Sequence, residues 1–259
     1  MLRVWDVLSG NQLQHTPKGE GLIFCTAALW GDRIATGHDG VENRVWSLGN
    51  GGSSAGVLRG FVEAGISLAV VGGCTAQQLL ASGSVDHRVR LWDVDAGTCT
   101  AVLSGHAGAV FCLVDLGGRR LLSGSLDRSL RVWNTATGAC LAVVQNAHGE
   151  GDRVWNTAAC ALPGGAVTGS WGGTVRRMWD EGAGALTPDG AALQLEGGLL
   201  WSLAAVPGPH GAQQLLAGCD DGTLRALGDG TGRELQQQAA LAGHSSFVRA
   251  MAVMASMTE

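Results

Sequence analysis

Two neighbouring stretches of the chain repeat one pattern: ASGSVDHRVRLWDVDAGTCTAVLSGHAGAV at residues 81–110 and SGSLDRSLRVWNTATGACLAVVQNAHGEGDRV at residues 123–154. When the two are aligned, three kinds of residue coincide: Ser82 with Ser123, Asp86 with Asp127, and Trp92 with Trp133. Agreement in a serine, an aspartate and a tryptophan at one constant spacing indicates an internal repeat.

Weaker copies of the repeat extend over the rest of the chain. Trp5, Trp46 and Trp179 align with the tryptophan of the two clear copies, and Leu227 takes its place in the stretch AGCDDGTLRALGD. Successive positions are 41 to 48 residues apart, close to the roughly 40 to 45 residues of a four-stranded propeller blade. The sequence therefore predicts six repeats.

Each repeat is predicted to form strands. Short β-branched or apolar runs such as VFCLVDL, RRLLSGS, SLRVWN and ACLAVV alternate with turn signals such as DLGG, SLDR and TATG. A meander of this kind buries its faces only by stacking on the next one. The sequence thus predicts an all-β fold, a β-propeller of about six four-stranded blades.

The two ends of the chain are predicted to share the sixth blade. The chain opens inside a third strand (residues 2–7) and stops after a first strand (residues 247–254), so this blade would lack its second strand. A missing strand leaves backbone groups unpaired. We therefore expect residues 1–259 to form a single propeller domain with one incomplete blade, or a fragment of a seven-bladed ring.

The quoted motifs resemble those of the WD-repeat family. They are GH (105–106), SGSLD (123–127) and RVWN (131–134), with LWD (91–93), VWD (4–6) and MWD (178–180) in other copies. In that family a His, a Ser or Thr, an Asp and the Trp of one blade form a hydrogen-bonded tetrad. The resemblance implies one complete structural tetrad, formed by His106, Ser123, Asp127 and Trp133.

The other repeats depart from this pattern. Phe61 stands at the His position before Ser82, and Gly172 replaces the Asp between Thr168 and Trp179. In the fifth repeat Ala217 and Leu227 replace the Ser and the Trp. Replacing every polar member of a buried network also removes the desolvation cost. We expect these blades to be stabilised mainly by packing.

Composition narrows the classes of partner and the compartment. The formal net charge is −5 and there is no run of Lys or Arg, which argues against nucleic acid or an anionic membrane as partner. The seven cysteines are scattered singly, as is typical of buried thiols in a reducing compartment. No secretory leader or membrane-spanning run is recognisable. These features favour an intracellular protein, cytoplasmic or nuclear.

No segment carries a recognisable catalytic or metal-binding constellation. His106, Ser123 and Asp127 superficially resemble a nucleophilic triad, but the repeat buries the serine inside a blade, where no substrate reaches it. The innermost strands offer only Asp115 among apolar residues, and no His lies at zinc-site spacing from a Cys. We expect no enzyme activity, no cofactor, no metal and no small-molecule substrate.

One position at the start of the first strands is a candidate binding surface. The repeat alignment places Phe24, Ile66, Phe111, Trp155, Trp201 and Arg249 there, and the family resemblance places this position beside the central channel on the top face. Such aromatics either wedge between blades as core or form an interface enriched in Trp and Arg. The partner-binding candidates are Phe24, Phe111, Arg153, Trp155, Trp171, Trp201 and Arg249.

Four hypotheses of function follow. The first is a scaffold that binds partner proteins or peptides on the top face. The second is the substrate-recognition subunit of a ubiquitin ligase, which would use Arg153 and Arg249 to bind acidic or phosphorylated peptides. The third is an enzyme dependent on Asp115, and the fourth is a remnant without independent function. The repeat and the aromatic set favour the first.

Overall fold

The structure is a computed structural model, and it describes thirteen segments of the chain. They are residues 3–5, 12–15, 22–40, 42–47, 53–59, 63–72, 79–149, 156–162, 164–180, 186–195, 199–207, 213–228 and 236–242. Every regular element in these segments is a β-strand. No helix in the described segments is therefore long and apolar enough to cross a membrane.

Twenty of the strands form five four-stranded antiparallel sheets, which we number as blades 1 to 5. Blade 1 contains β3 (Ile23–Leu29), β4 (Arg33–His38), β5 (Glu42–Ser47) and β6 (Ser53–Arg59). Blade 2 contains β7 (Gly65–Val71), β8 (Leu79–Ser84), β9 (Val89–Asp93) and β10 (Thr98–Leu103). Blade 3 contains β11 (Val110–Gly117), β12 (Arg120–Ser125), β13 (Ser129–Asn134) and β14 (Cys140–Gln145).

Blades 4 and 5 repeat the same order of strands. Blade 4 contains β15 (Asn156–Leu162), β16 (Gly165–Ser170), β17 (Thr174–Asp180) and β18 (Leu186–Gln194). Blade 5 contains β19 (Leu200–Pro207), β20 (Gln213–Cys219), β21 (Thr223–Gly228) and β22 (Gln236–Ala242). The first strands β3, β7, β11, β15 and β19 lie against one another in chain order. The architecture is that of a β-propeller, and the predicted fold class is confirmed.

The predicted number of blades is wrong. The described residues form five four-stranded blades and not six with one incomplete. The first predicted repeat, around Trp5, is instead a separate two-stranded sheet of β1 (Arg3–Trp5) and β2 (Gln12–His15). The first strand predicted to complete it, residues 247–254, lies outside the described residues. A third-strand motif does not create a blade without three further strands to pair with it.

The apolar core lies between blades and not inside them. One cluster joins Leu91 and Leu103 of blade 2 to Leu113 and Trp133 of blade 3, and equivalent clusters occupy the boundaries between blades 1 and 2, 3 and 4, and 4 and 5. A four-stranded sheet has two faces, and each must be covered to bury its side chains. Stacking in a row covers both faces of the inner blades.

We call one end of the blades the top face. It carries the turns between second and third strands, at residues 39–40, 85–88, 126–128, 171–173 and 220–222, and the start of each first strand. Because successive strands are antiparallel, these turns and strand starts lie at the same end of each sheet. The opposite, bottom face carries the turns between first and second strands, such as residues 117–119.

Candidate functional site

Blade 3 contains one complete hydrogen-bonded tetrad. The Trp133 Nε1–H donates to Ser123 Oγ at 2.8 Å, and His106 Nε2 lies 2.7 Å from the same oxygen. His106 Nδ1 lies 2.8 Å from Asp127 Oδ2. The chain of contacts ties the segment entering β11 to the second and third strands of its own blade. The four residues implied by the family resemblance are thus brought together.

Protonation in this tetrad follows from its geometry. Burial opposes ionisation of Asp127, but hydrogen bonds from His106, Ser129 and the Ala107 amide outweigh it and lower its pKa. The carboxylate accepts the Nδ1–H of His106, which leaves Nε2 to accept from the hydroxyl of Ser123. Ser123 is fully buried, so this triad-like arrangement has no access to a substrate.

Blade 2 replaces the histidine by an arginine from its own third strand. The Trp92 Nε1–H donates to Ser82 Oγ at 2.7 Å, as in blade 3. Arg90 donates through both Nη atoms to the two Asp86 oxygens, at 3.1 and 2.6 Å, and the two side chains are buried. Phe61 lies outside the described residues. A bidentate ion pair thus takes the place of the imidazole in this blade, beside the apolar packing on both of its faces.

Blade 5 keeps the same ion pair without the rest of the tetrad. Arg225 Nη2 donates to Asp221 Oδ2 at 2.9 Å, as Arg90 does to Asp86. Ala217 and Leu227, which replace the Ser and the Trp, are both fully buried in the cluster shared with blade 4. Apolar packing thus replaces the Ser–Trp hydrogen bond in this blade.

Blade 4 holds a histidine that the sequence comparison missed. His148 Nε2 lies 3.0 Å from Thr168 Oγ1, and its Nδ1 lies 3.0 Å from Thr174 Oγ1, which is equivalent to the Ser129 hydroxyl beside His106 in blade 3. Burial, with a smaller effect of the Arg176 charge, lowers the pKa of His148 to about 4. The sequence signal was present, because Ala147 and His148 follow GH (105–106) at the repeat spacing.

The predicted tryptophan of blade 4 is displaced by one residue. Thr168 pairs with Arg176 and Ala166 with Met178, as Ser123 pairs with Arg131 and Leu121 with Trp133 in blade 3. Met178 is fully buried and takes the Trp position, whereas Trp179 is 45% exposed. Aligning the chain on its tryptophans was therefore wrong in this blade, since side chains of adjacent strand residues point to opposite faces.

Blade 1 takes its histidine from an unexpected place. His38 lies two residues after Thr36 on the same strand, and its Nε2 is 2.8 Å from Thr36 Oγ1. The Trp46 Nε1–H donates to that oxygen at 2.8 Å. No repeat-based signal identifies His38, because the family pattern expects the histidine on the segment before the first strand.

A β-bulge lies near the start of the first strand in each of the five blades, and in four of them it coincides with the predicted binding position. Each first strand shifts register at its second residue. The bulged residues are Phe24, Ile66, Phe111, Thr157 and Trp201. A bulge re-aims a side chain out of the pleat. Four of the predicted residues therefore share one structural position at the top of the innermost strands.

The alignment at Trp155 is wrong. The register Asn156 with Ser170 and Ala158 with Gly169 makes Thr157 the bulged residue of blade 4. The segment between His148 and this bulge is four residues longer than that between His106 and Phe111, which the alignment did not accommodate. Trp155 itself, with Arg153 and Arg249, lies outside the described residues.

Trp171 and Trp201 meet on the top face across the boundary between blades 4 and 5. Their ring centroids are 6.3 Å apart and the rings are inclined by 69°, an edge-to-face arrangement favoured by aromatic quadrupoles. Both side chains are partly exposed, as are Phe24 and Phe111. The pair therefore packs at a blade boundary and also presents aromatic surface.

Asp115, the one innermost carboxylate considered for catalysis, is held by backbone groups. Its Oδ2 accepts from the Gly72 N–H at 3.0 Å and its Oδ1 from the Gly117 N–H at 3.1 Å. Gly72 follows the first strand of blade 2, so Asp115 links blades 2 and 3. This arrangement gives the residue a structural role.

Comparison with known proteins adds sequence evidence. The family model for the WD domain, G-beta repeat, matches residues 66–93 and 97–134, in blades 2 and 3. Protein tipD of Dictyostelium discoideum is 32% identical over 110 residues, which are 42% of this chain and 17% of that protein. F-box and WD repeat domain containing protein 10B and F-box/WD repeat-containing protein 10, both of Homo sapiens, are each 43% identical over 40 residues.

The two F-box proteins match 15% of this chain, and the match covers 5% and 4% of their own lengths. The matched part thus spans less than a fifth of the curated relatives. The blades and the tetrads agree with the matched repeats: residues 66–93 and 97–134 contain WD repeats of the G-beta type, and the whole chain resembles a WD-repeat propeller.

Proposed function

We propose that the chain is a non-catalytic scaffold that binds other proteins or peptides through the top face of its propeller. WD-repeat propellers generally serve as protein-interaction scaffolds. The observation that supports a top-face site most directly is the partly exposed Trp171–Trp201 pair. Tryptophan is enriched among the residues that dominate binding energy at interfaces.

Substitution of the pair tests this proposal against a matched control. Trp171→Ala and Trp201→Ala remove top-face aromatic surface, whereas Trp179→Ala removes an exposed tryptophan from the far end of blade 4. Proteins captured from cell extract by the wild-type chain are identified by mass spectrometry and compared among the variants. We expect captured proteins to be lost with Trp171→Ala and Trp201→Ala and retained with Trp179→Ala. Equal capture by all three would contradict the proposal.

A second candidate is the substrate-recognition subunit of a ubiquitin ligase. The names of two relatives include an F-box beside the WD repeat, and this is the observation that favours it. The test is co-purification of the tagged protein from cells, followed by mass spectrometry for ubiquitin-ligase subunits. Their absence alongside other reproducible partners would leave the general scaffold as the better account.

We further propose that residues 1–259 act as one domain inside a reducing compartment, cytoplasmic or nuclear, with no nucleic acid, membrane or small-molecule substrate as partner. The six described cysteines are all free thiols, which supports the compartment. Burial raises the pKa of Cys25, Cys112 and Cys160 to about 12, whereas Cys99 and Cys140 are exposed, against the expectation that the thiols are buried. In a thiol titration under native conditions we expect the two exposed cysteines to react and the three buried ones to react only after unfolding.

A further inference from the structure

Four blades form the same turn between their second and third strands. In each, a backbone N–H donates to the carbonyl three residues earlier: His87 to Ser84, Arg128 to Ser125, Gly173 to Ser170, and Gly222 to Cys219. All four donors have positive φ, at 68°, 67°, 84° and 79°. The four residues therefore occupy one equivalent tip position on the top face.

Blades 4 and 5 fill this tip with glycine, and blades 2 and 3 do not. Glycine adopts positive φ without steric cost, whereas a residue with a Cβ is strained by about 1 kcal/mol. His87 and Arg128 are nevertheless placed there, with exposed side chains, and the exposed Arg88 follows His87. The exposed Arg119 on the bottom face has the same positive φ, so the strain alone does not mark a binding site, and the distribution of charge over the top face has to be considered as well.

The charge on the third strands reinforces this asymmetry. In blades 2 and 5 the third-strand arginine is neutralised by the turn aspartate, as Arg90 is by Asp86. In blade 3 Asp127 is engaged by His106, and blade 4 has Gly172 instead. Among the described residues, Arg131 and Arg176 form no ion pair, and their Nε atoms have no hydrogen-bond partner.

The top face is therefore polarised. The turns of blades 2 and 3 present the exposed cations Arg88 and Arg128, and the equivalent turn of blade 4 contains Trp171. The turn of blade 1 presents the exposed Asp39, and the turn of blade 5 contains two aspartates, Asp220 and Asp221, against the single charge of Arg225. The exposed Glu63 lies on the segment entering blade 2, where its backbone carbonyl accepts from Ser84 Oγ. One side of the face complements an anionic partner and the other repels it.

We infer that the top face of blades 2 to 4 docks an acidic, extended segment of a partner protein, whose Asp or Glu carboxylates lie against Arg88 and Arg128. The inference rests on the proposed function. The two arginines belong to the turns of two different blades, which suits a run of spaced carboxylates better than a single phosphate.

The test uses a fluorescein-labelled peptide of alternating Glu and Gly, its Gln counterpart, and a phosphoserine counterpart, with binding followed by fluorescence anisotropy. The decisive variant is Arg128→Gly, which removes the charge and suits the positive φ. Its matched control is Arg119→Gly, because Arg119 is also exposed with φ of 62°, in the same blade, but on the bottom face.

We expect the Glu peptide to bind the wild-type chain more weakly as salt is raised and the Gln peptide not to bind. Arg128→Gly should weaken the Glu peptide about two- to fivefold, the effect of one solvated charge pair, and Arg119→Gly should leave it unchanged. Both variants should melt no lower than the wild type, so misfolding cannot explain a loss.

Equal affinity of Arg128→Gly and Arg119→Gly, equal binding of the Gln peptide, or binding of the phosphoserine peptide alone would overturn the inference. The proposed function fails separately. If Trp171→Ala abolishes capture of partners while Arg128→Gly leaves peptide binding intact, the top-face scaffold stands and the acidic partner does not.

Discussion

At the scale of single residues, the blades vary a hydrogen-bonded motif without abandoning it. Where the histidine is absent, Arg90 binds the aspartate, and where the aspartate is absent, the Thr174 hydroxyl binds the histidine. Buried polar groups need partners, so the loss of one member selects for another donor or acceptor within reach. The family motif alone cannot identify such substitutes, because Arg90 and Thr174 lie near the motif positions in the sequence and not at them.

Asn43 is a buried polar residue for which the described segments offer no partner. It is fully buried on β5, and neither its Nδ2 nor its Oδ1 has a hydrogen-bond partner among the described residues. The equivalent residues Val89, Leu130 and Val175 are apolar and fully buried. We predict that Asn43→Leu raises the free energy of unfolding by about 1–2 kcal/mol, by removing the cost of desolvating the amide.

Chemical denaturation measures this change, with Asn43→Asp as the opposite control. A buried carboxylate without a partner should destabilise the chain. If Asn43→Leu were less stable than the wild type, the amide would have a partner and the packing assigned to blade 1 would be incorrect.

His148 makes stability depend on pH. Its pKa is lowered from 6.5 to about 4 in the folded chain, so folding favours the neutral imidazole. The resulting stabilisation, about 3 kcal/mol at most, is fully present above pH 6.5 and is lost as the pH falls toward 4. The pKa of His38 is also lowered, mainly by burial, so it acts in the same direction.

Denaturation midpoints measured between pH 4 and 7 test this prediction. His148→Gln retains a hydrogen-bonding side chain but does not titrate. Between pH 6.5 and 4 the free energy of unfolding of this variant should therefore fall less steeply with pH, by a slope that corresponds to about one proton, than that of the wild type. Parallel curves for the two proteins would show that His148 is not buried as a neutral base.

At the scale of elements, the closeness of the blades depends on small residues in their second strands. Gly83 of β8 faces β11 of the next blade, and a Cβ there would lie 2.7 Å from Val110 Cγ1 and 2.8 Å from the Val110 carbonyl oxygen. We predict that Gly83→Val lowers the free energy of unfolding by about 2–4 kcal/mol, because it forces the two blades apart.

The matched control for this substitution is Gly56→Ala. Gly56 lies on the outer strand β6, and a Cβ there would have open space around it. Its stability should stay within about 0.5 kcal/mol of the wild type. A Gly83→Val chain as stable as this control would be inconsistent with the tight boundary between blades 2 and 3.

Strand pairing explains which parts of the site could be predicted from sequence. The repeat in blades 2 and 3 has a constant spacing, so its strands, turns and tetrad positions are readable from Ser123 and Trp133. In blade 4 an inserted segment before β15 and the extra residue before Trp179 shift the register. Only hydrogen bonding between strands reveals that Thr157 and Met178 occupy the repeat positions.

At the scale of the whole molecule, the propeller class was predictable but the blade count was not. A repeat motif reports one strand and its turn, whereas a blade requires four paired strands. The motif at Trp5 belongs to a two-stranded sheet, so counting tryptophans overstated the number of blades.

Unfolding should be cooperative across the molecule. Every boundary between successive blades contains a buried apolar cluster shared by both neighbours, so loss of one blade exposes its neighbours. We predict one thermal transition that coincides when followed by far-ultraviolet circular dichroism and by tryptophan fluorescence. Two separated transitions would indicate that groups of blades unfold independently.

The central claim is that a partner protein binds the top face, and hydrogen–deuterium exchange on the chain with a captured, purified partner tests it most directly. We predict slower exchange on partner binding in the top-face segments, residues 85–88, 126–128, 171–173 and 199–201, and unchanged exchange in the bottom-face turns at residues 94–97, 117–119 and 135–139. Protection confined to those bottom-face turns would contradict the account.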